Sequence, residues 1–218
     1  MFRSRYEGRE AVVKAFTNDA AGTALKEYSV LKTCRAKKVA APIPIGLKEA
    51  VIVMEYVEGP TLAEFLDAAW SISGDHADGH HQVQDVAESL GAWLADFHGA
   101  FDYTLSRGDA SIRNFIISRK GIVGIDFEES GEYDIIDDIG EACASVLSMR
   151  PMFSHESEEF CRCMVEGYAS KAGPARIARL NEAAARALER YAEFRSDGDE
   201  MVRKAIEIRK SGLFSGEE

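Results

Sequence analysis

Two carboxylates and one amide carry the most chemistry in this sequence: Asp109, Asn114 and Asp126. They lie in the run Arg107-Gly108-Asp109-Ala110-Ser111-Ile112-Arg113-Asn114, which leads into an expected strand from Asn114 to Ser118. The turn Arg119-Lys120-Gly121 follows, then a second strand from Ile122 to Asp126, then Phe127 and Glu128. A hairpin brings the start of its first strand near the end of its second, so Asn114 and Asp126 are expected side by side. Both offer hard oxygen ligands, the kind that Mg²⁺ or Mn²⁺ takes when it also holds phosphate. Asp109 stands five positions before Asn114, in the loop entering the hairpin.

Elements on either side must position these groups. Phe2 to Tyr6 and Ala11 to Phe16 are β-like and are separated by Glu7-Gly8-Arg9-Glu10, which reads as a hairpin turn. From Thr23 to Ala36 the spacing of Leu25, Tyr28, Leu31 and Thr33 predicts an amphipathic helix that carries Glu27 among its polar residues. Ala41-Pro42-Ile43-Pro44 is extended, because proline fixes its own backbone and biases the residue before it, and strands are expected around it. Ala50 to Val57 (AVIVMEYV) reads as a buried central strand stopped by Glu58-Gly59-Pro60.

Further along, Thr61 is placed to cap a helix running through Ala69, with Leu62, Phe65 and Leu66 on one face. Gly74 to His81 (GDHADGHH) reads as a polar surface loop, and Val83 to His98 as a long helix packed in a second lobe. Beyond Ile135 the pattern is helical, with breaks at Pro151, at Gly173-Pro174 and around Asp197-Gly198-Asp199. The plan is α+β and two-lobed: a small β-rich first lobe over 1–58 and a helical second lobe over 59–218 that holds the hairpin region 107–128.

Composition narrows the function classes. With 46% hydrophobic residues in 218, the chain can bury a substantial core. A net charge of −11 argues against direct nucleic-acid binding, because polyphosphate affinity comes from clustered Lys and Arg. No apolar run approaches the roughly 20 residues of a membrane span. The start MFRSRYEGRE lacks a signal-peptide core, so a soluble, cytoplasmic protein is expected, with no membrane partner. Cys34, Cys143, Cys161 and Cys163 sit in apolar, helix-like surroundings and read as reduced thiols.

The order of these elements resembles the protein-kinase-like superfamily. RGDASIRN followed by a hairpin and DFE is similar to the family pattern H-R/G-D-x-x-x-x-N with its later D-F-G. The resemblance implies that Asp109 accepts or orients the acceptor proton. It implies further that Asn114 and Asp126 hold the metal ions, which neutralise the phosphates of ATP. Val12-Val13-Lys14 resembles the strand lysine of that family, with Glu27 as its ion-pair partner. Ile52 to Gly59 resembles the hinge, where the main chain of Glu55 and Val57 would recognise adenine. Leu94-Ala95-Asp96-Phe97-His98 resembles the helix before the catalytic loop, and Asp138 the buried aspartate that supports that loop.

Several features depart from the pattern. Thirteen residues precede Lys14, and no glycine-rich phosphate loop is present, so the first lobe is expected to be truncated. Arg107 stands where His is usual. Gly108 is similar to the atypical branch. Glu128 replaces the glycine of D-F-G and is expected to face outward, with a third metal ligand as the alternative. Twelve positions from Asp126 to Asp138 leave little room for a peptide-binding platform.

The chain is most similar to small atypical kinases, namely the kinase subunit of the KEOPS complex and the RIO kinases, with similarity also to aminoglycoside and choline phosphotransferases. The resemblance implies an ATP- and Mg²⁺- or Mn²⁺-dependent enzyme. Its acceptor would be a protein partner or a hydroxyl-bearing small molecule. The readings are an atypical serine/threonine kinase or ATPase acting with a partner, a small-molecule kinase, and a nucleotide-binding pseudokinase.

Overall fold

The computed structural model describes residues 1–17, 21–71 and 77–214. Its first part is a four-stranded antiparallel sheet of β1 (Phe2–Tyr6), β2 (Arg9–Ala15), β3 (Pro44–Lys48) and β4 (Val51–Glu55), ordered β1-β2-β4-β3. The first hairpin turns through Glu7 and Gly8, both at positive φ (47° and 78°), the two-residue geometry that matches strand twist. Helix α1 (Ala21–Lys37) packs against β3 and β4. Between α1 and the Pro42–Pro44 segment, residues 38–41 are irregular, not the strand that the sequence suggests. Both strands follow that segment, and Pro44 opens β3 at the sheet edge, where its missing N–H costs no ladder bond.

The buried face of α1 also differs from the expected one. Leu25 is exposed, while Ala24, Glu27, Val30, Leu31 and Cys34 point inward. A charged residue on the inner face flattens the amphipathic pattern, which is why periodicity misassigns it.

After β4 come α2 (Leu62–Ser71) and α3 (Ala77–Ala100). Thr61 caps α2 as expected: its hydroxyl accepts from the Glu64 N–H at 3.2 Å. The Glu64 carboxylate accepts in return from the Thr61 N–H at 2.8 Å, a reciprocal capping box. Because α3 starts at Ala77, residues 77–81 of the expected polar loop are helical, and 74–76 lie outside the described residues. The expected strand at Asn114 is a short 3₁₀ turn (Ile112–Asn114) before β5 (Phe115–Ser118), and β6 (Gly121–Gly124) stops two residues short of Asp126.

Helices α4 (Ile136–Leu147), α5 (His155–Ala172), α6 (Leu180–Ala192) and α7 (Gly198–Ser211) complete the chain, broken at the expected positions. All four cysteines are buried free thiols. Among the described residues no helix is long and apolar enough to cross a membrane.

The helical part is organised by close crossings. At the α3–α5 contact a methyl on Gly91 would overlap the Met164 carbonyl and lie 2.6 Å from the Tyr168 nitrogen; one on Gly167 would strike the Glu88 carbonyl. Backbone meets backbone there, and only glycine permits it. Helix α4 packs on α6, where the Glu141 carboxylate lies 3.5 Å from Arg190 and accepts from the Tyr191 hydroxyl at 3.4 Å. Burial, with the Asp109 charge adding to it, pushes the Glu141 carboxyl up to about 7.

Two outcomes are expected. Gly91→Ala should lower stability by about 1–3 kcal/mol or more through overpacking, seen as a reduced urea midpoint with unchanged slope. Gly22→Ala, in open space on α1, should leave stability unchanged or raise it by up to about 1 kcal/mol. For Glu141 the folded-state value lies above the unfolded one, so the folded protein binds that proton more tightly. Its contribution to stability is therefore lost as pH rises from the ordinary carboxylate range toward 7. Glu141→Gln should remove that loss, on the order of 1–3 kcal/mol, in urea midpoints compared across the range.

Candidate active site

The site is built around a buried ammonium. The register of β2 on β4 pairs Lys14 with Ile52, and Lys14 is only 6% exposed. Its Nζ donates to Glu27 Oε2 at 2.7 Å, to Asp126 Oδ1 at 2.7 Å and approaches Glu128 Oε2 at 2.9 Å. An ammonium has three N–H groups, and three carboxylates from α1 and the hairpin exit take them. Burial alone would lower the Lys14 pKa, but hydrogen bonds to Asp126 and Glu27 outweigh it and carry it up to about 12. The other Glu27 oxygen accepts from the Phe127 N–H at 3.3 Å, so α1 grips the backbone next to Asp126 as well.

Glu128 therefore turns inward, contrary to expectation. The cause is electrostatic: a half-buried carboxylate gains more from the Lys14 ammonium than from solvent on the outer side. Oxygens of Glu27, Asp126 and Glu128 all lie within 4.8 Å of one another. Three carboxylates against one ammonium leave the cluster net negative and rich in hard oxygen, a donor set that suits a divalent cation.

Asp109 and Asn114 form the neighbouring group. Asp109 Oδ1 accepts from the Ser111 N–H at 3.1 Å, and Oδ2 accepts from Asn114 Nδ2 at 2.8 Å. The backbones of Asn114 and the hairpin exit meet as predicted, with the Ile125 N–H donating to the Asn114 carbonyl at 2.9 Å. The side chains face different partners, Asn114 toward Asp109 and Asp126 toward Lys14. Asp126 has φ +61°, an uncommon backbone state for a non-glycine residue, and such states collect at functional sites.

Asp138 holds the loop from below. Its Oδ2 accepts from the Arg107 N–H at 2.6 Å and lies 2.8 Å from His98 Nε2. Its Oδ1 accepts from Ser106 Oγ at 2.8 Å and the Gly108 N–H at 3.1 Å. His98 continues through Nδ1 to the Tyr168 hydroxyl at 3.0 Å, so α3, α4, α5 and the loop share one buried network. Gly108 needs to be glycine twice over, since its φ is +84° and a side chain would strike the Glu129 carbonyl. Ser106 and Gly131 exchange backbone hydrogen bonds at 2.9 and 3.0 Å, which pins the short 126–138 segment against the loop.

Glu55 closes β4, its N–H donating to the Ile43 carbonyl at 2.9 Å, and Val57 lies in the irregular stretch that joins the sheet to α2. Both are half-buried at the junction of the two parts. One residue that enters the sequence pattern only as a departure is central here: Arg107 is fully buried and donates to the carbonyls of Asp109, Ile125 and Asp126. Its position directly before Gly108-Asp109 was the available signal. Beside the loop, Thr61, Glu64, Asp67, Arg113, Tyr191 and Phe194 help to line a cleft of about 920 Å³.

Comparison with curated proteins returns no match. Among solved structures the chain is similar to an amicoumacin kinase determined in complex with AMP-PNP, Ca²⁺ and Ami. The two are 14% identical, with a TM-score of 0.69 over 97% of this chain and 85% of that one, a likeness of fold. The expected kinase-like, α+β architecture is thus the observed one. A family model, the RIO domain, matches residues 5–134, from the first strand through Lys14, Asp109, Asn114 and Asp126. That match spans more than half of the sequence, and the chain belongs to the RIO domain family.

Proposed function

We propose that this protein is an ATP- and divalent-metal-dependent phosphotransferase of the atypical serine/threonine kinase or ATPase type, acting in the cytoplasm with a partner protein. The observation that carries the reading is the convergence on Lys14 of Glu27 and Asp126, 13 and 112 positions away, next to the Asp109–Asn114 pair. In this reading Lys14, held by Glu27, faces the phosphates of ATP, and the main chain of Glu55 and Val57 meets adenine. Asp126 and Asn114 hold Mg²⁺ or Mn²⁺, with Glu128 as a further oxygen donor. The bound ion supplies neutralisation of phosphate charge.

The chain's own residues do the rest. When nucleotide phosphate arrives, Lys14 exchanges its Glu128 contact for phosphate oxygen, which frees that carboxylate. Asp109 accepts the proton of the attacking hydroxyl at its carboxylate, while the Ser111 N–H and the Asn114 amide fix its orientation. Most of the rate then comes from positioning and electrostatics rather than from bonds made to the protein.

A specific observation favours a second reading, in which the acceptor is a hydroxyl-bearing small molecule. The cleft next to Ser111–Arg113 has the size of a small-molecule site, and it combines the Glu64 and Asp67 carboxylates with the aromatic faces of Tyr191 and Phe194. The short 126–138 segment, pinned to the loop through Ser106 and Gly131, also favours a small acceptor over an extended peptide.

Purified protein with Mg²⁺ or Mn²⁺ and γ-labelled ATP is expected to label itself or release phosphate. Asp109→Asn should lower that rate by about 10²–10⁴. No turnover by the wild type, or equal turnover by Asp109→Asn, would leave only a nucleotide-binding pseudokinase. For the second reading, a panel of hydroxylated amines and sugars should contain a compound that stimulates ATP consumption. Phe194→Ala should then raise KM for that compound about tenfold and leave KM for ATP unchanged. Phosphate transfer to a protein acceptor alone, insensitive to Phe194→Ala, would dismiss the cleft.

A further inference from the structure

Arg107 is 0% exposed, and a guanidinium keeps its charge even when buried. Burying a cation is costly unless its donors are matched. Its partners here are carbonyls rather than carboxylates. Nε donates to the Asp109 carbonyl at 2.9 Å, and Nη2 donates to the Ile125 carbonyl at 2.5 Å and the Asp126 carbonyl at 3.1 Å. Three rings wrap the group, with centroids of Phe115, Phe127 and Trp93 at 4.6, 5.0 and 5.8 Å from Cζ. Nη1 has no hydrogen-bond partner among the described residues. Gly124 makes room, because a side chain there would run into the Trp93 ring and lie 3.0 Å from Nη1.

The arrangement has a specific geometric consequence. The Ile125 and Asp126 carbonyls stand on either side of the Asp126 Cα, whose φ of +61° lies in the left-handed region that few non-glycine residues adopt. One nitrogen holds both of these carbonyls, and the other donor on the same rigid plane holds Asp109. A planar guanidinium thus ties the loop that carries the proposed base to the residue proposed to hold the metal. An amine or a single-donor ring cannot span both.

We infer that Arg107 is a positioning residue for phosphoryl transfer, setting the placement of Asp126 relative to Asp109 without itself meeting substrate. This rests on the phosphotransferase reading above. A purely structural role predicts loss of folded protein only. A positioning role predicts loss of metal alignment and turnover in protein that remains folded.

The test compares full-length wild type with Arg107→Lys, which keeps the charge but not the fork, and Arg107→Met, which keeps the length without donors. Folding is followed by thermal denaturation, binding of AMP-PNP without divalent ion by calorimetry, and Mn²⁺ affinity of the AMP-PNP complex by electron paramagnetic resonance. Both variants should bind AMP-PNP as the wild type does. Their Mn²⁺ affinity should fall about 10- to 100-fold. Their kcat for ATP turnover should fall about 10²-fold at unchanged KM, the penalty of a small misplacement.

Should the Met variant not fold, the Lys variant decides the matter. Wild-type Mn²⁺ affinity and kcat in the folded Lys variant, with Asp126→Asn impaired, would overturn the positioning role and leave the phosphotransferase reading intact. A wild type whose AMP-PNP complex binds no Mn²⁺ would overturn that reading, and the positioning role with it.

Discussion

The structure turns on one ammonium group. Lys14 brings a strand of the sheet, helix α1 and the exit of the second hairpin to a single point through contacts of 2.7, 2.7 and 2.9 Å. Such a group could not be buried alone, and neither could Glu27, which is 1% exposed. Each makes the other's burial tolerable, and the third and fourth members, Asp126 and Glu128, stay half-exposed where a ligand can reach them. The sheet and helical parts are thereby joined by charge at the point where chemistry is proposed to occur.

A second buried charge organises the other half of the site. Asp138 accepts from Ser106, the Arg107 and Gly108 amides and the His98 ring, so the loop entering the hairpin is suspended from α4. Satisfying every oxygen of a buried carboxylate in this way rigidifies the neighbourhood, because any rearrangement would strand a charge. Arg107 then couples this frame to Lys14's frame through the Asp109 and Asp126 carbonyls. The two acidic residues of interest are held from both sides, which is the preorganisation that electrostatic catalysis requires.

Local features were legible from sequence. The hairpins, the capped start of α2 and the breaks in the helical part each depend on a few consecutive residues, and the structure has these elements close to where the sequence puts them. The boundaries that moved were those where a neighbour intervenes. Asn114 sits in a 3₁₀ turn because its side chain bonds back to Asp109, and β6 ends early because Asp126 must turn toward Lys14. The polar loop expected over 77–81 is instead the start of α3, since a helix turn built of polar residues produces no apolar signal.

By itself the sequence determined the α+β order and which residue types could bind metal and move a proton, because turn chemistry and period are local properties. The tertiary structure alone decided that Glu27 lies on the buried face of α1, that Glu128 points inward and that Arg107 lies sealed among three rings. The reason is physical. Hydrophobic periodicity infers burial from apolarity, whereas Glu27, Glu128 and Arg107 are buried or turned inward by partners far along the chain, Lys14 for the two glutamates and the Ile125 and Asp126 carbonyls for the arginine.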